Sequence, residues 1–137
     1  MQQIPGLYFA PSVTSGRGVY CREEISAGSI IEICPVIIIP SHEVDIIHHT
    51  DLHDYYFVWG HDDDQAAIAL GYGSLYNHAD FPNASYVLDM AENTIDIRAI
   101  KNITAGEEIT INYHGEPGTQ AELWFDEKGH RIKRIKA

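Results

Sequence analysis

Residues 71–85 read "GYGSLYNHADFPNAS". Asn77 and His78 stand side by side, just ahead of an Asp-Phe-Pro-Asn stretch with turn chemistry. Asn-His is an ordinary dipeptide alone, so its meaning depends on what the rest of the chain brings to it. Upstream, "GRGVYC" (16–21) leads two glycines into Val19 and Tyr20, a turn entering a strand. Downstream, "NTIDIRAI" (93–100) alternates Ile95, Ile97 and Ala99 on one face, the period of a half-buried strand. "NITAGEEITINY" (102–113) then reads as a turn followed by another strand.

The same punctuation occurs earlier. "SAG" at 26–28 is a turn, and "SIIEIC" after it is a strand rich in β-branched residues. Pro35 and Pro40 bracket "VIII" as a further short strand. Residues 24–33, "EISAGSIIEI", echo residues 102–111, "NITAGEEITI", at Ile25/Ile103, Ala27/Ala105, Gly28/Gly106 and Ile33/Ile111. Two similar hairpins in a pseudo-symmetric arrangement fit this echo. Restricted turn chemistry alone also produces such likeness.

The middle of the chain differs. "SHEVDIIHHTDLHDYYFVWG" (41–60) spaces Val44, Ile47, Leu52, Tyr55, Tyr56 and Trp59 by threes and fours, which predicts one or two short helical turns. "HDDDQ" (61–65) predicts an exposed loop. The segment reads as an insert between two β regions. After Tyr113, a Gly-Pro-Gly-rich break precedes a short helix expected around 121–127, with Leu123, Trp124 and Phe125.

The chain has 137 residues, 45% of them hydrophobic, which suits one domain folding around one core without staples. Cys21 and Cys34 form no CxxC and no disulfide framework, so they read as buried thiols of a reducing compartment, cytoplasm or nucleus. The N-terminus lacks a basic patch followed by an apolar run, so no signal peptide is expected. The apolar run at 36–39 is far too short to cross a bilayer. The net charge is −11, and ahead of Lys128 the basic residues are only Arg17, Arg22, Arg98 and Lys101. An acidic body argues against direct nucleic-acid binding and favours a basic partner. The basic tail "KGHRIKRIKA" reads as a solvated end.

Several chemistries are absent. There is no GxxxxGK[ST], no HExxH and no GxSxG. Gly16-Arg17-Gly18 is a GxG, weak alone, although paired glycines let a ligand approach the backbone. Five histidines between His42 and His61 invite a metal reading, and His49 and His53 would share a helix face at i, i+4. A solvated acidic segment with scattered histidines explains them better, so no metal is expected. A metal-binding β protein remains one rival reading.

Three segments taken together say more: "GRGVY", "ALGYGSLYNHADFPNAS" (69–85) and "RAIKNITAGEEITINYHG" (98–115). Their order and spacing resemble the SET-domain protein lysine methyltransferases, in particular the compact viral and bacterial members. The resemblance covers about 16–115. It implies a mainly β fold, a β-clip whose C-terminal segment threads under a loop as a pseudoknot, with a short helical insert and a short C-terminal helix. The expected division is one SET domain over 1–137: a core at about 5–115, an insert at about 41–68 and a flank at 116–137.

The resemblance also implies S-adenosyl-L-methionine as cofactor and transfer of its methyl group to a lysine of a basic protein segment, such as a histone tail. Gly16, Arg17, Gly18, Asn77, His78 and Tyr113 are then expected to bind the cofactor. Trp124 is expected to close the site over the adenine, a role that Phe125 fits as well. Tyr113 matches the tyrosine at the transfer centre. Tyr55 matches a tyrosine of the lysine channel, with Tyr76 and Ile111 assigned to the same channel. Ile111 stands where many relatives carry the Phe or Tyr that sets the number of methyls. Two departures are visible: Ala79-Asp80 replaces the usual Ser-Cys after Asn-His, and the cysteine-rich zinc segment that follows many SET domains is missing. A SET-like fold that has lost catalysis and serves in binding or dimerisation is the second rival, against which the joint presence of Asn77, His78 and Tyr113 argues. A homodimer is allowed, and no membrane partner is expected.

Overall fold

The computed structural model describes residues 2–115. In chain order the elements are β1 (Leu7–Pro11), β2 (Arg17–Cys21), β3 (Ile30–Ile39), α1 (Ser41–His48), β4 (Tyr56–Trp59), β5 (Gln65–Ala69), β6 (Asn77–His78), β7 (Ala84–Asp89), β8 (Thr94–Ala99) and β9 (Glu108–Ile111). Single 3₁₀ turns occupy Asp51–Asp54 and Gly73–Leu75. The helix expected near 121–127, with Trp124 and Phe125, and the basic tail lie outside the described residues.

Two sheets form. One has the order β4-β5-β3-β8-β7, and the other β1-β2-β9-β6. The fold is mainly β, as expected, with one short helix in the middle segment. The main core carries Ile25, Ile31, Ile95, Ile97, Ile103, Ile109 and Phe57, none more than 1% exposed. Each such side chain contributes about 1.5–3 kcal/mol of burial free energy. A smaller cluster of Val44, Tyr56 and Ala66 seats α1 on β5, which explains why Val44 is the one buried residue of that helix.

Two expectations need correction. The sequence predicts a strand break at Pro35, yet β3 runs through it for ten residues. The strand survives because it changes partner there. Up to Pro35 it pairs with β8, and from Val36 it pairs with β5. The amide proton that proline lacks is missing at the hand-over, and the Pro35 carbonyl still accepts from Leu70 N–H at 2.9 Å. The second correction concerns Tyr56 and Trp59, whose spacing suggests a helix. Residues 56–59 form β4, with all four side chains buried. A helix of the same residues would bury only one stripe, whereas a strand covered on both faces buries every residue. The middle segment therefore supplies two sheet strands as well as a helix.

The echo between 24–33 and 102–111 is structural. Ile25 and Ile103 face each other across an antiparallel bridge, exchanging N–H···O bonds of 2.9 and 2.8 Å. Gly28 N–H donates to Ala99 O at 2.8 Å, and Gly106 N–H donates to Cys21 O at 2.9 Å. These partners are related by the same offset along the chain as the two isoleucines, so the two turns exchange under a local pseudo-two-fold. Gly28 and Gly106 have φ of 88° and 82°, a left-handed conformation that suits glycine.

Candidate active site

The turn Gly73–Leu75 aims the chain at the site. A Cβ on Gly73 would lie 2.9 Å from Cys34 Sγ and 2.5 Å from Ala69 Cβ, so only glycine fits there. The chain then extends through Tyr76 into β6, where Asn77 pairs with Thr110 and His78 with Ile111. This pairing is parallel, and it places β9 between β2 and β6. A late strand thus lies between two earlier ones, which is the pseudoknot crossing the resemblance implies. Asn83 pins β9 from outside the ladder. Its Nδ2 donates to Glu108 O at 2.8 Å, and its Oδ1 accepts from Thr110 N–H at 2.9 Å. Buried side-chain amides of this kind are satisfied at both ends, as burial demands.

The strand ends at Asn112, where the Oδ1 accepts from His114 N–H at 2.8 Å and turns the backbone. Tyr113 comes next and is held at three points. Its N–H donates to His78 Nδ1 at 3.0 Å, its hydroxyl donates to Tyr76 O at 3.0 Å, and its carbonyl accepts from Tyr86 OH at 3.2 Å. Because His78 Nδ1 accepts, Nε2 carries the proton and donates to Asp80 Oδ1 at 2.9 Å. Asp80, the departure from the Ser-Cys pattern, thereby fixes the tautomer that Tyr113 requires.

A cleft of about 300 Å³ opens beside Tyr113. Ser15, Gly16 and Arg17 line it from the β1–β2 turn, Asp54 and Tyr55 from the middle segment, and Ser74, Leu75 and Asn77 from the approach to β6. Asn77 Nδ2 donates to Arg17 O at 2.8 Å and to Glu108 Oε2 at 2.7 Å. Glu108 Oε1 in turn accepts from Ser12 Oγ at 2.9 Å, so the Asn77 amide and the Glu108 carboxylate between them tie both ends of the β1–β2 turn to β6. Gly16 has φ of 69° and open space where a Cβ would stand. At Gly18 a Cβ would collide with the Glu108 carboxylate.

The cleft therefore brings together Gly16, Arg17, Tyr55, Asn77 and Tyr113, all expected site residues. Gly18 and His78 stand behind it: the glycine gives room to Glu108 and Asn77, and the imidazole holds Tyr113. Tyr76 and Ile111 do not line it. Both are fully buried in the main core, and Tyr76 reaches the site only through its backbone carbonyl. Its hydroxyl donates instead to Glu32 Oε1 at 2.8 Å. Burial, and then the Glu32 charge, push the Tyr76 hydroxyl well above the usual phenol range. The same two causes raise the Cys34 thiol and keep it protonated and unreactive. Trp124 lies outside the described residues.

Sequence reasoning missed Glu108, Asn83, Ser74 and Leu75. Glu108 and Asn83 sit inside the quoted motifs, but their partners come from distant segments. α1 ends at His48 and a separate 3₁₀ turn starts at Asp51, so His49 and His53 share no helix face. Their Nδ1 atoms lie 2.6 Å from Asp45 O and 2.7 Å from Thr50 O. Among the described residues, no group of three or more His, Cys, Asp and Glu is placed to hold a metal ion. Nor is any described helix long and apolar enough to cross a membrane.

The family model described as "SET domain" matches residues 16–114. A histone-lysine N-methyltransferase of Schizosaccharomyces pombe, H3 lysine-37 specific, is 33% identical over 121 residues, which span 88% of this chain and 77% of that protein. The crystal structure of a Plasmodium falciparum protein described as a candidate histone methyltransferase superposes with a TM-score of 0.69 at 32% identity, covering 85% of this chain and 97% of that one. A ctPRC2 structure bound to S-adenosylmethionine shares the fold, with a TM-score of 0.66 at 23% identity over 79% of this chain and 15% of that one. This chain belongs to the SET-domain family of protein lysine methyltransferases.

Proposed function

We propose that this protein transfers a methyl group from S-adenosyl-L-methionine to the side-chain amine of a lysine in a basic protein segment, of which a histone tail is one example. One observation carries the reading: separate chain segments converge on a single cleft that holds Gly16, Arg17, Tyr55, Asn77 and Tyr113.

The residues present suit the cofactor. Both protons of Asn77 Nδ2 are used within the protein, so its carbonyl oxygen is the group left to accept from an α-amino group. Arg17 offers a cation for a carboxylate, and Gly16 leaves the backbone bare for close approach. When bound, S-adenosyl-L-methionine supplies an electrophilic methyl group on a sulfonium. The lysine must meet it as a neutral amine, although its reference pKa is about 10.4. Burial of the lysine chain against Tyr55 and Leu75 favours the neutral form, and the proton leaves to water. Tyr113 is not the base. Its hydroxyl donates to Tyr76 O, which fixes where the oxygen stands beside the amine and so helps to orient it.

The acidic surface supports a basic substrate. Asp54 lines the cleft, and Asp51, Asp62, Asp63 and Asp64 are exposed. Replacing Asp62, Asp63 and Asp64 together with Asn should raise KM for a basic peptide with kcat unchanged, since these charges attract ground and transition states alike. An unchanged KM would return the run to a solubility role. The deciding experiment for the function itself pairs calorimetry of S-adenosyl-L-methionine with labelled-methyl transfer to histones and a cell extract, read by mass spectrometry. Binding at micromolar to millimolar ligand and label on lysine are expected. Absence of heat, of any shift in Tm and of label would overturn the reading.

A further inference from the structure

We infer that Glu32 is a positioning residue for the transfer centre, acting on Tyr113 through Tyr76; the inference rests on the methyltransferase reading above. Glu32 is the third residue of β3, 1% exposed. Three donors bond its carboxylate, all neutral: Gln3 Nε2 at 2.8 Å and Tyr72 N–H at 3.0 Å on Oε2, and Tyr76 OH at 2.8 Å on Oε1. None of the ion pairs formed by the described residues includes it. Burying a carboxylate without a cation is costly, and an apolar residue would fill the same place with less loss of stability.

What the carboxylate does is organise the approach to the site. Residues 71–77 carry both Tyr76 and Asn77, and this segment hangs on Glu32 at two points, the Tyr72 amide and the Tyr76 hydroxyl. Gly71, with φ of 62°, packs so closely on Oε2 that a Cβ there would collide with it. The Tyr76 ring is fully buried and tethered by its hydroxyl at one end and by β6 at the other. Its carbonyl then accepts from Tyr113 OH at 3.0 Å. Two hydrogen bonds therefore connect a buried charge in the five-stranded sheet to the hydroxyl at the transfer centre. Burial and the Glu32 charge also keep the Tyr76 proton in place, so the hydroxyl remains a donor.

Two variants of the full chain test this. Glu32→Gln keeps the size but replaces one acceptor oxygen by an NH₂, so either the Tyr76 bond reverses direction or the Gln3 and Tyr72 donors lose their acceptor. Tyr76→Phe removes only the linking hydroxyl. Each should lower kcat about tenfold to a hundredfold, the scale for a misaligned reacting group, and Tyr76→Phe should leave KM and cofactor Kd within about twofold. The double variant should be no slower than Glu32→Gln alone, because both changes cut one path. A second readout needs no turnover: with ¹³Cζ-labelled tyrosine, the Tyr113 resonance should move in Tyr76→Phe.

Tyr76→Phe at wild-type kcat would overturn the inference, and so would losses that multiply in the double variant. Should Glu32→Gln not fold, Tyr76→Phe decides alone. Should the wild-type protein transfer no methyl, the functional reading fails, and the Tyr113 resonance still decides whether Tyr76 positions that residue: an unmoved signal overturns it.

Discussion

The turns around Gly28 and Gly106 are the same device used twice. Each has a glycine of φ near 85°, each hangs its amide on a carbonyl of the other half, and their isoleucines share one bridge. The strands they lead into differ. After Gly28 the chain enters β3, a β-branched run that crosses the core and continues past Pro35 into a second set of partners. After Gly106 it enters β9, four residues long, and Asn112 stops it by bonding its own backbone two residues on. The early stop is what leaves Tyr113 at the cleft. In this fold, a cleft residue stands where one strand ends and its twin continues.

If the two turns are mechanically equivalent, Ile25→Ala and Ile103→Ala should destabilise alike. Both are fully buried, and each should lose about 2–5 kcal/mol of unfolding free energy. Urea unfolding of the two variants checks this. A gap of more than about 2 kcal/mol between them, most of the spread of such substitutions, would break the equivalence.

Tyr113→Phe separates the halves by function rather than stability. The ring keeps its contact with His78, at 5.1 Å between centroids, while the bond to Tyr76 O disappears. Transfer should fall about a hundredfold, measured in a single turnover. Cofactor affinity should persist, because Asn77, Arg17 and Gly16 are untouched. Transfer near the wild-type rate would remove the hydroxyl from the mechanism, and loss of the fold would make the residue chiefly structural.

The β character, the repeated turn and the convergence of Asn77 with Tyr113 were legible because each rests on local chemistry or on a motif that fixes spacing. Four things were not. Pro35 looks like a strand end, since a proline cannot donate to a ladder, and nothing local says that the partner changes at that residue. Tyr56–Trp59 forms a strand because both faces are covered, a fact of tertiary packing that a spacing of threes and fours imitates. Tyr76 and Ile111 fall beside site residues in sequence, but alternation along an extended chain sends their side chains into the core. Glu32 was invisible for the converse reason. In "IIEIC" nothing local marks it as buried, and distant residues, Gln3 and the segment 71–77, cover it.

A milder pair sharpens the comparison. An ideal Cβ at Gly28 or Gly106 meets nothing within 4 Å, so an alanine costs only its backbone conformation. Gly28→Ala and Gly106→Ala should each lower stability by about 1 kcal/mol, the left-handed penalty of an L-residue. Thermal unfolding should give equal shifts in Tm. A clearly larger shift at one turn would mean that its φ is enforced by more than the turn itself.

The smallest expected difference lies at the residue after each glycine. In the first turn this is Ser29, whose N–H donates to Ser26 O at 3.1 Å. In the second it is Glu107, whose N–H donates to Thr104 O at 3.1 Å and whose carboxylate reaches back to Thr104 N–H at 3.0 Å and Thr104 Oγ1 at 3.1 Å. The Thr104 amide is the largest cause holding the Glu107 carboxyl below the usual glutamate range. A carboxyl whose folded pKa is depressed stabilises the fold above its unfolded pKa, and the contribution is lost as pH falls through the folded value. The second turn should thus loosen in acid, below the ordinary glutamate range, while the first, with no titrating group there, should not. The effect is small, because Glu107 is exposed and water screens it. Following the Thr104 and Ala27 amide resonances through an acid titration measures it. Thr104 should shift with an apparent pKa below that of free glutamate, and Glu107→Gln should abolish the step. A Thr104 signal that titrates like an unperturbed glutamate would show that the reach-back bond carries no free energy, and the two turns would then be alike in this respect too.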